Sequence, residues 1–415
     1  MAVAGELGDR GADEHRLVER AHRPSAIRAL LLDAAARDLL LAERDAGQHE
    51  ADLTRAAADA GDDASRVGHG VSEEDVARHD RALEPIRANP GRLEFRSVTR
   101  PAISVLLPVR DGGRYLRHAV ADVLAQQQVE VELIAVDDGS RDGSARRLEE
   151  WARQDPRLRV IATAGIGPGR ALDLALAAAR HDLVAQMEAD DRCPPDRLMR
   201  LHATLLAHPD WHGVTSRAGL IGFRSEGMRR YLDWQNGLLT PEGQAAARFI
   251  EIPALHQTGL YRRRCLQAVG GFAGDPRWPL DIDFWMRWHR DGWRIGKVAR
   301  VLYRWRQHAR QSTRTSPLHR QDALRRCKAH YFVAGPGAVA PLELLSVGAT
   351  LSGWSAALQA AGRADHVAVE WRPSTPPPAR RPGAVRLFAF GTAAARARIL
   401  HHAGAFDPAS DWFVA

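Results

Sequence analysis

The strongest constraint on the fold is an alternation that begins at residue 102. Short apolar runs rich in β-branched residues take turns with stretches whose apolar residues recur at helical spacing. Ala102-Ile-Ser-Val-Leu-Leu-Pro-Val predicts a strand buried on both faces. Leu116, Val120, Val123 and Leu124 then share one face of a helix expected over 115–127. A second strand is expected from residue 131, ending in acidic turn residues, and a helix marked by Leu148 and Trp151 follows it. A strand over 158–162, a helix over 171–180 and a strand over 183–187 complete the series. This order predicts an α/β fold built on a mostly parallel, doubly wound sheet. In such sheets ligands bind beyond the carboxyl ends of the strands.

Two acidic clusters fall at those ends. Glu188-Ala-Asp190-Asp191 places three carboxylates within four residues of a strand end. Carboxylates so crowded repel one another unless a positive charge lies among them. A hard divalent cation answers this, since Mg²⁺ typically takes one or two protein carboxylates plus substrate phosphates. The alternative is a capped helix start, which the pair Pro194-Pro195 would favour. Asp137-Asp138-Gly139-Ser140 also follows a buried strand. A carboxylate there can accept from the edge of a nucleobase, with Gly139 permitting close backbone approach; an acidic turn with an N-cap fits the same residues. A third cluster, Trp278-Pro-Leu-Asp281-Ile-Asp283-Phe-Trp285-Met-Arg-Trp288, sets Asp281 at a helix start. There it is either an N-cap or a general base beside an aromatic wall, and Trp285 reads as core.

The charge balance does not point to nucleic acid. The formal charge is +7, but Lys297 and Lys328 are the only lysines, and the arginines are spread along the chain among Asp and Glu. Cys193, Cys265 and Cys327 lie far apart without ligand spacing, which suits reduced thiols in a cytoplasmic protein. No run of 18 or more apolar residues is present, so the expectation is a soluble chain, at most peripheral to the inner face of a membrane.

In this order and at these distances, the clusters resemble the family 2 glycosyltransferases across about residues 101–330. Ile103 to Gly112 is similar to the family's opening strand and loop, and Val136 to Gly143 to its nucleoside-binding segment. Met187 to Asp191 stands where the family has its D-x-D run, and Leu280 to Trp285 resembles its E-D motif. His256 to Arg263 with Val269 to Phe272 looks like the segment leading to the acceptor, and Tyr303 to Arg306 through Gln311 to Arg314 like the closing segment. The resemblance implies a glycosyltransferase A-type fold over 99–332 and an inverting, metal-dependent sugar transfer from a nucleotide sugar, UDP-linked by default. Asp190 and Asp191 would hold Mg²⁺ or Mn²⁺, with Glu188 and Asp190 facing the donor. Pro108, Val109, Asp111 and Asp137 or Asp138 would bind the nucleoside, and Asp281 would deprotonate the acceptor hydroxyl. The acceptor would be a glycan, a lipid-linked sugar or a small molecule, in polysaccharide synthesis at the cell surface.

Several residues depart from the family pattern. Glu188 replaces an aspartate, Leu280 replaces the glutamate of the E-D pair, and Asp173 stands where asparagine is common. Val301 occupies the first position of the processive Q-x-x-R-W signature, so one sugar is expected per encounter. Leu280 and Glu188 also prompt a second reading, a non-catalytic sugar- or nucleotide-binding paralogue. Residues 338–415 predict a small Rossmann-like unit of strand, glycine turn at Gly348 and helix, then strands at 366–371 and 385–391 and a helix over 392–402. Its glycine pattern falls short of G-x-G-x-x-G, so a structural or docking role is favoured over dinucleotide redox chemistry. Residues 1–98 read as a helical or partly disordered extension, with one amphipathic helix over 24–47.

Overall fold

The structure, a computed structural model, describes residues 100–222, 225–308, 317–338, 340–402 and 404–415. The extension expected over 1–98, its helix over 24–47 and residues 311–314 of the closing segment lie outside the described residues.

The alternation appears as anticipated. β1 (Ala102–Val109), α1 (Leu116–Leu124), β2 (Glu130–Asp138), α2 (Ser144–Gln154), β3 (Leu158–Thr163), α3 (Pro168–Ala178) and β4 (Leu183–Gln186) follow one another. Then come α4 (Arg197–Ala207), β5 (Gly213–Gly222), α5 (Glu226–Gly237), α6 (Pro241–Ala247), β6 (Leu260–Arg262), α7 (Arg263–Ala268), α8 (Leu280–Arg290) and β7 (Ile295–Gln307). The seven strands form one sheet in the order β3-β2-β1-β4-β6-β5-β7. Only β6 runs antiparallel to its neighbours. Residues 103–109 of β1 are buried throughout, as expected of a strand covered by helices on both faces. α3 starts three residues before the spacing predicted. Pro168 occupies its first turn after Gly167, a position where a missing N–H costs nothing. Asp137 and Asp138, read as turn residues, are the last two residues of β2 and pair with Ala162 and Thr163 of β3.

A second, four-stranded sheet is wholly parallel, in the order β11-β10-β8-β9. It follows α9 (Gln321–Val333) and contains β8 (Leu342–Ser346), α10 (Gly348–Ala360), β9 (Val367–Glu370), β10 (Val385–Ala389), α11 (Ala393–His401) and β11 (Asp411–Val414). β11 is a strand that the sequence patterning did not predict. It is four residues long and opens on a buried aspartate, Asp411, which is neutralised by Arg380.

The two sheets share a core. One continuous apolar cluster runs from Leu106, Ile134 and Leu172 through Trp285 and Phe332 to Trp354, Leu387 and Val414. Phe249 lies edge-on to both Phe332 and Trp412. The buried Lys328 of α9 donates to the carbonyls of Ile250 (2.7 Å) and Ala415 (2.9 Å), so the end of β11 is tied to the segment after α6. All three cysteines are free and buried, and no helix among the described residues is long and apolar enough to cross a membrane. Because the core is continuous, damage in one sheet should be felt in the other. Trp354→Ala, at a fully buried position, should cost about 3–5 kcal/mol. It should lower a single calorimetric transition, and two separate transitions with only one displaced would contradict the shared core.

Candidate active site

The site forms where the chain leaves β4. Asp191 is buried, and its Oδ1 accepts the backbone N–H of Arg306 at 2.6 Å. Its Oδ2 is buried without a hydrogen bond of good geometry, although the Tyr303 hydroxyl lies near enough to the carboxyl to lower its proton affinity. Burial, reinforced by the neighbouring Asp190 carboxylate, pushes Asp191 up to about 8. Burial and then the charges of Asp190 and Asp191 likewise lift Glu188 well above the ordinary carboxylate range. Glu188 Oε1 accepts from Gln186 Nε2 at 2.6 Å, and Asp190 Oδ2 lies 2.8 Å from Nε2 of His308. The helix-cap alternative fails here, because α4 begins only at Arg197, with Asp196 at its N-cap.

The acidic run is held from the far side of the sheet. Arg192 and Arg304 exchange backbone hydrogen bonds of 3.2 and 2.8 Å, and Arg306 Nε donates to the Asp190 carbonyl at 2.6 Å. The Arg306 guanidinium also lies 4.1 Å from the ring centre of Tyr115, which stacks with His308. Beneath the run, His256 Nδ1 meets Gln186 Oε1 at 2.7 Å, and the buried Arg197 donates to the carbonyls of Gln186 and Gln257. Burial brings His256 down to about 4, so its imidazole is neutral. Tyr303 completes this floor, its hydroxyl accepting the Glu188 N–H at 3.2 Å.

The loops proposed to line a nucleoside are brought together at the carboxyl ends of β1 and β2. Pro108 and Val109 end β1, opposite Val136 and Asp137. Beyond them Asp111 N donates to Ser140 Oγ (2.9 Å), Arg141 N to Asp111 Oδ1 (2.7 Å), and Gly113 N to Asp142 Oδ2 (2.7 Å). Asp111 takes a left-handed φ of 53° within this lacing. The two candidate base-binders differ. Asp138 accepts from Thr163 Oγ1, Ile166 N and Gly167 N at 2.6, 2.6 and 2.8 Å. Burial would raise its pKa, but these donors and Arg110 outweigh it and hold Asp138 below the usual range. Asp138 is therefore occupied in fastening the turn after β3. Gly139, at φ 75°, lies so near this turn that a Cβ would sit 3.3 Å from Gly165 N, so the close approach it permits is to backbone. Asp137 accepts Ser140 N at 3.2 Å through Oδ2, while its Oδ1 is buried and unpartnered.

Asp281 lies in the first turn of α8, whose N-cap is Pro279, so it is not the cap. Its Oδ1 accepts Ile282 N at 2.9 Å and faces His319 Nε2 at 3.9 Å. Burial raises its proton affinity; His319 opposes that effect and the charge of Glu251 adds to it. Leu280 turns away onto Gly169, where a Cβ would come within 2.8 Å of both Leu280 Cδ1 and the Ala273 Cα. Gly169 lies at the start of α3, which brings Asp281 to the same edge of the sheet as the acidic run. Among the described residues, however, no hydrogen bond or ion pair joins Asp281 to Asp190 or Asp191. Trp285, which donates Nε1 to the Ala254 carbonyl, and Trp288 are core, while Trp278 is partly buried beside His330. Glu251, His319, Gln186, Tyr115 and His308 carried no local signature, and only the fold brings them to the site.

The acidic run suits a divalent cation. It offers a buried oxygen without a hydrogen bond of good geometry, and burial followed by mutual repulsion raises the proton affinity of Glu188 and Asp191. Among the described residues no three His, Cys, Asp or Glu side chains form a ready metal cage. An open two-carboxylate site completed by substrate phosphates is the arrangement Mg²⁺ accepts.

Comparison with known proteins shows similarity to glycosyltransferases. The family model "Glycosyl transferase family 2" matches residues 104–270. An uncharacterized glycosyltransferase of Nostoc sp. is 37% identical over 100 residues, 24% of this chain and 31% of its own length. The chain thus spans less than a third of that relative. The putative glycosyltransferase EpsE of Bacillus subtilis is 27% identical over 213 residues, covering 50% of this chain and 73% of EpsE. Among solved structures, S. aureus TarS 1–349 in complex with UDP-GlcNAc aligns at 18% identity with a TM-score of 0.45, over 56% of this chain and 66% of that one. The match to glycosyl transferase family 2 falls on residues 104–270, the stretch that carries the chain from β1 to β6 of the mostly parallel seven-stranded sheet.

Proposed function

We propose that the chain is an inverting, metal-dependent glycosyltransferase that moves one sugar per encounter from a nucleotide sugar to an acceptor hydroxyl in glycan synthesis. The observation that carries this reading is the buried Oδ2 of Asp191, without a hydrogen bond of good geometry, among carboxylates at the carboxyl edge of the sheet. Asp190 and Asp191 would hold Mg²⁺ or Mn²⁺. Bound there, the cation supplies Lewis-acid stabilisation of the negative charge that gathers on the departing nucleoside diphosphate. Asp137, with one oxygen to spare, would accept from the nucleobase, and the laced loop at Pro108, Val109 and Asp111 would line the nucleoside. Glu188 would face the donor, its carboxylate held by Gln186. Asp281 would take the acceptor's proton as its oxygen attacks opposite the leaving group, so the anomeric configuration inverts without a covalent intermediate. A UDP-sugar is the default donor, and a glycan, lipid-linked sugar or small molecule the acceptor. A cytoplasmic or membrane-peripheral location fits such substrates.

Leu280 is the observation that favours the second reading, a binding paralogue without turnover, since the base lacks its adjacent acid. One substitution separates the two. Asp281→Asn should lower sugar transfer by about 10²–10⁴-fold while leaving nucleotide binding intact. Wild-type turnover in that variant would remove Asp281 as the base, and metal-dependent binding without any turnover in the wild type would establish the paralogue.

Asp191 has a pH signature of its own. Its folded-state pKa is raised, so its contribution to stability is fully present below the ordinary value of 3.8 and is lost as pH climbs through about 8. In EDTA, Asp191→Asn should therefore melt higher than wild type at pH 9 and lose that advantage near pH 4. Adding Mn²⁺ at pH 8 should raise the wild-type melting temperature by a few degrees and leave the variant unmoved. Equal Mn²⁺ stabilisation of both proteins, followed by differential scanning fluorimetry, would exclude Asp191 as a ligand.

A further inference from the structure

Asp281 is surrounded from four directions, and its neighbours are not equivalent. Glu251 approaches from the segment after α6, Tyr231 from α5, Cys327 and Lys328 from α9, and His319 from the short 3₁₀ turn Pro317–His319. Most of these groups have other partners. Glu251 accepts Ile252 N at 2.8 Å and has Lys328 Nζ 3.9 Å away. Lys328 is spent on the Ile250 and Ala415 carbonyls. Tyr231 accepts from Gln235 at 3.2 Å. His319 differs, because its Nδ1 is buried with no hydrogen-bond partner while its Nε2 faces Asp281 Oδ1. Nothing among the described residues competes with Asp281 for this imidazole.

The two oxygens of Asp281 are also unequal. Ile282 N and His319 Nε2 both address Oδ1, and no protein donor among the described residues addresses Oδ2. A carboxylate held by one oxygen presents the other in a fixed direction, and fixed direction is what proton abstraction needs. At 3.9 Å the imidazole is beyond direct hydrogen-bond length, a gap that a small ring movement or one water spans.

Resting on the reading of Asp281 as the base, we infer that His319 is its positioning residue, drawing Oδ1 back so that Oδ2 is the oxygen offered to the acceptor. His319 thereby supplies from 38 residues downstream a control that the sequence position of Leu280 cannot. Its positive form also favours the carboxylate, in line with the direction in which it moves Asp281.

The test uses the full chain carrying ¹³C-carboxyl-labelled aspartate, with the Asp281 resonance identified by its loss in Asp281→Asn. The titration midpoint of Asp281 should rise in both His319→Leu and His319→Gln, because each removes the side chain that opposes the effect of burial on Asp281. An unchanged midpoint in both would overturn the inference, and if the leucine variant fails to fold, the glutamine variant decides alone. The kinetic arm follows hydrolysis of UDP-N-acetylglucosamine and GDP-mannose with Mn²⁺. His319→Leu should lower kcat between about tenfold and 10²-fold with donor KM unchanged, and His319→Gln, which keeps an N–H donor, should recover part of that loss. A matching rise in donor KM, or no recovery with glutamine, would mark His319 as merely structural. If the wild type turned over neither donor nor any other nucleotide sugar, the transferase reading would fall, while the Asp281 midpoint would still decide what His319 does.

Discussion

The site depends on a seam between two strands that lie far apart in sequence. The chain leaving β4 is stitched to the end of β7 by the Arg192–Arg304 backbone pair and by the Arg306 N–H on Asp191 Oδ1. Without that seam the acidic run would relax into water, where neighbouring carboxylates cost little and bind a cation weakly. With it, one oxygen of Asp191 is fixed and the other is left buried, with only the Tyr303 hydroxyl near the carboxyl. On the proposed reading, the repulsion stored there is what a divalent cation would relieve. The same stretch of β7 also delivers Tyr303 beneath Glu188 and leads to His308 beside Asp190. One strand thus sets the lower and outer boundaries of the site together.

The second sheet contributes by holding the helices that carry the remaining residues. α8 is buried from Ile282 to Trp288, so it can be placed only by packing on several sides. Its Asp283 accepts from Arg287 (2.8 Å) and from Tyr331 of α9 (2.7 Å), while Arg287 also reaches the carbonyls of Val269, Gly271 and Phe272. A buried ion pair of this kind adds little net stability, but removing one partner would leave an unanswered charge. α9 in turn packs on α10, and Lys328 ties it to the last residue of the chain. The direction of Asp281 is therefore set by a core that extends into the Rossmann-like sheet.

Features encoded by neighbouring residues were legible in the sequence, and features made by distant contacts were not. The strand–helix alternation is local, so β1 to β4 could be read from residue types alone. The acidic clusters were visible because Glu188 to Asp191 and Asp137 to Asp138 are adjacent residues. Sequence could not choose between Asp137 and Asp138, since the choice is made by Thr163, Ile166 and Gly167 closing on Asp138 from 25 to 29 residues away. It could not find His308, because the partner of that side chain, Asp190, lies 118 residues earlier. β11 escaped for a different reason. Asp-Trp-Phe-Val opens on an aspartate, which is poor strand material until Arg380 neutralises it.

Leu280 shows how a missing motif residue can be misleading when read as a string. A glutamate would be expected to lend its charge to the adjacent aspartate, and leucine there reads as a loss. In the fold, Leu280 packs onto the face left open by the absent side chain of Gly169, its Cδ1 only 2.8 Å from where a Cβ would be. A glutamate with the same orientation would press its carboxylate against Gly169 and the Ala273 backbone, where it would be partly desolvated. The electrostatic neighbour that Asp281 keeps is Glu251, adjacent in space and 30 residues earlier in the chain. The acid whose charge acts on Asp281 thus comes from Glu251, and position 280 serves as a packing contact between α8 and α3.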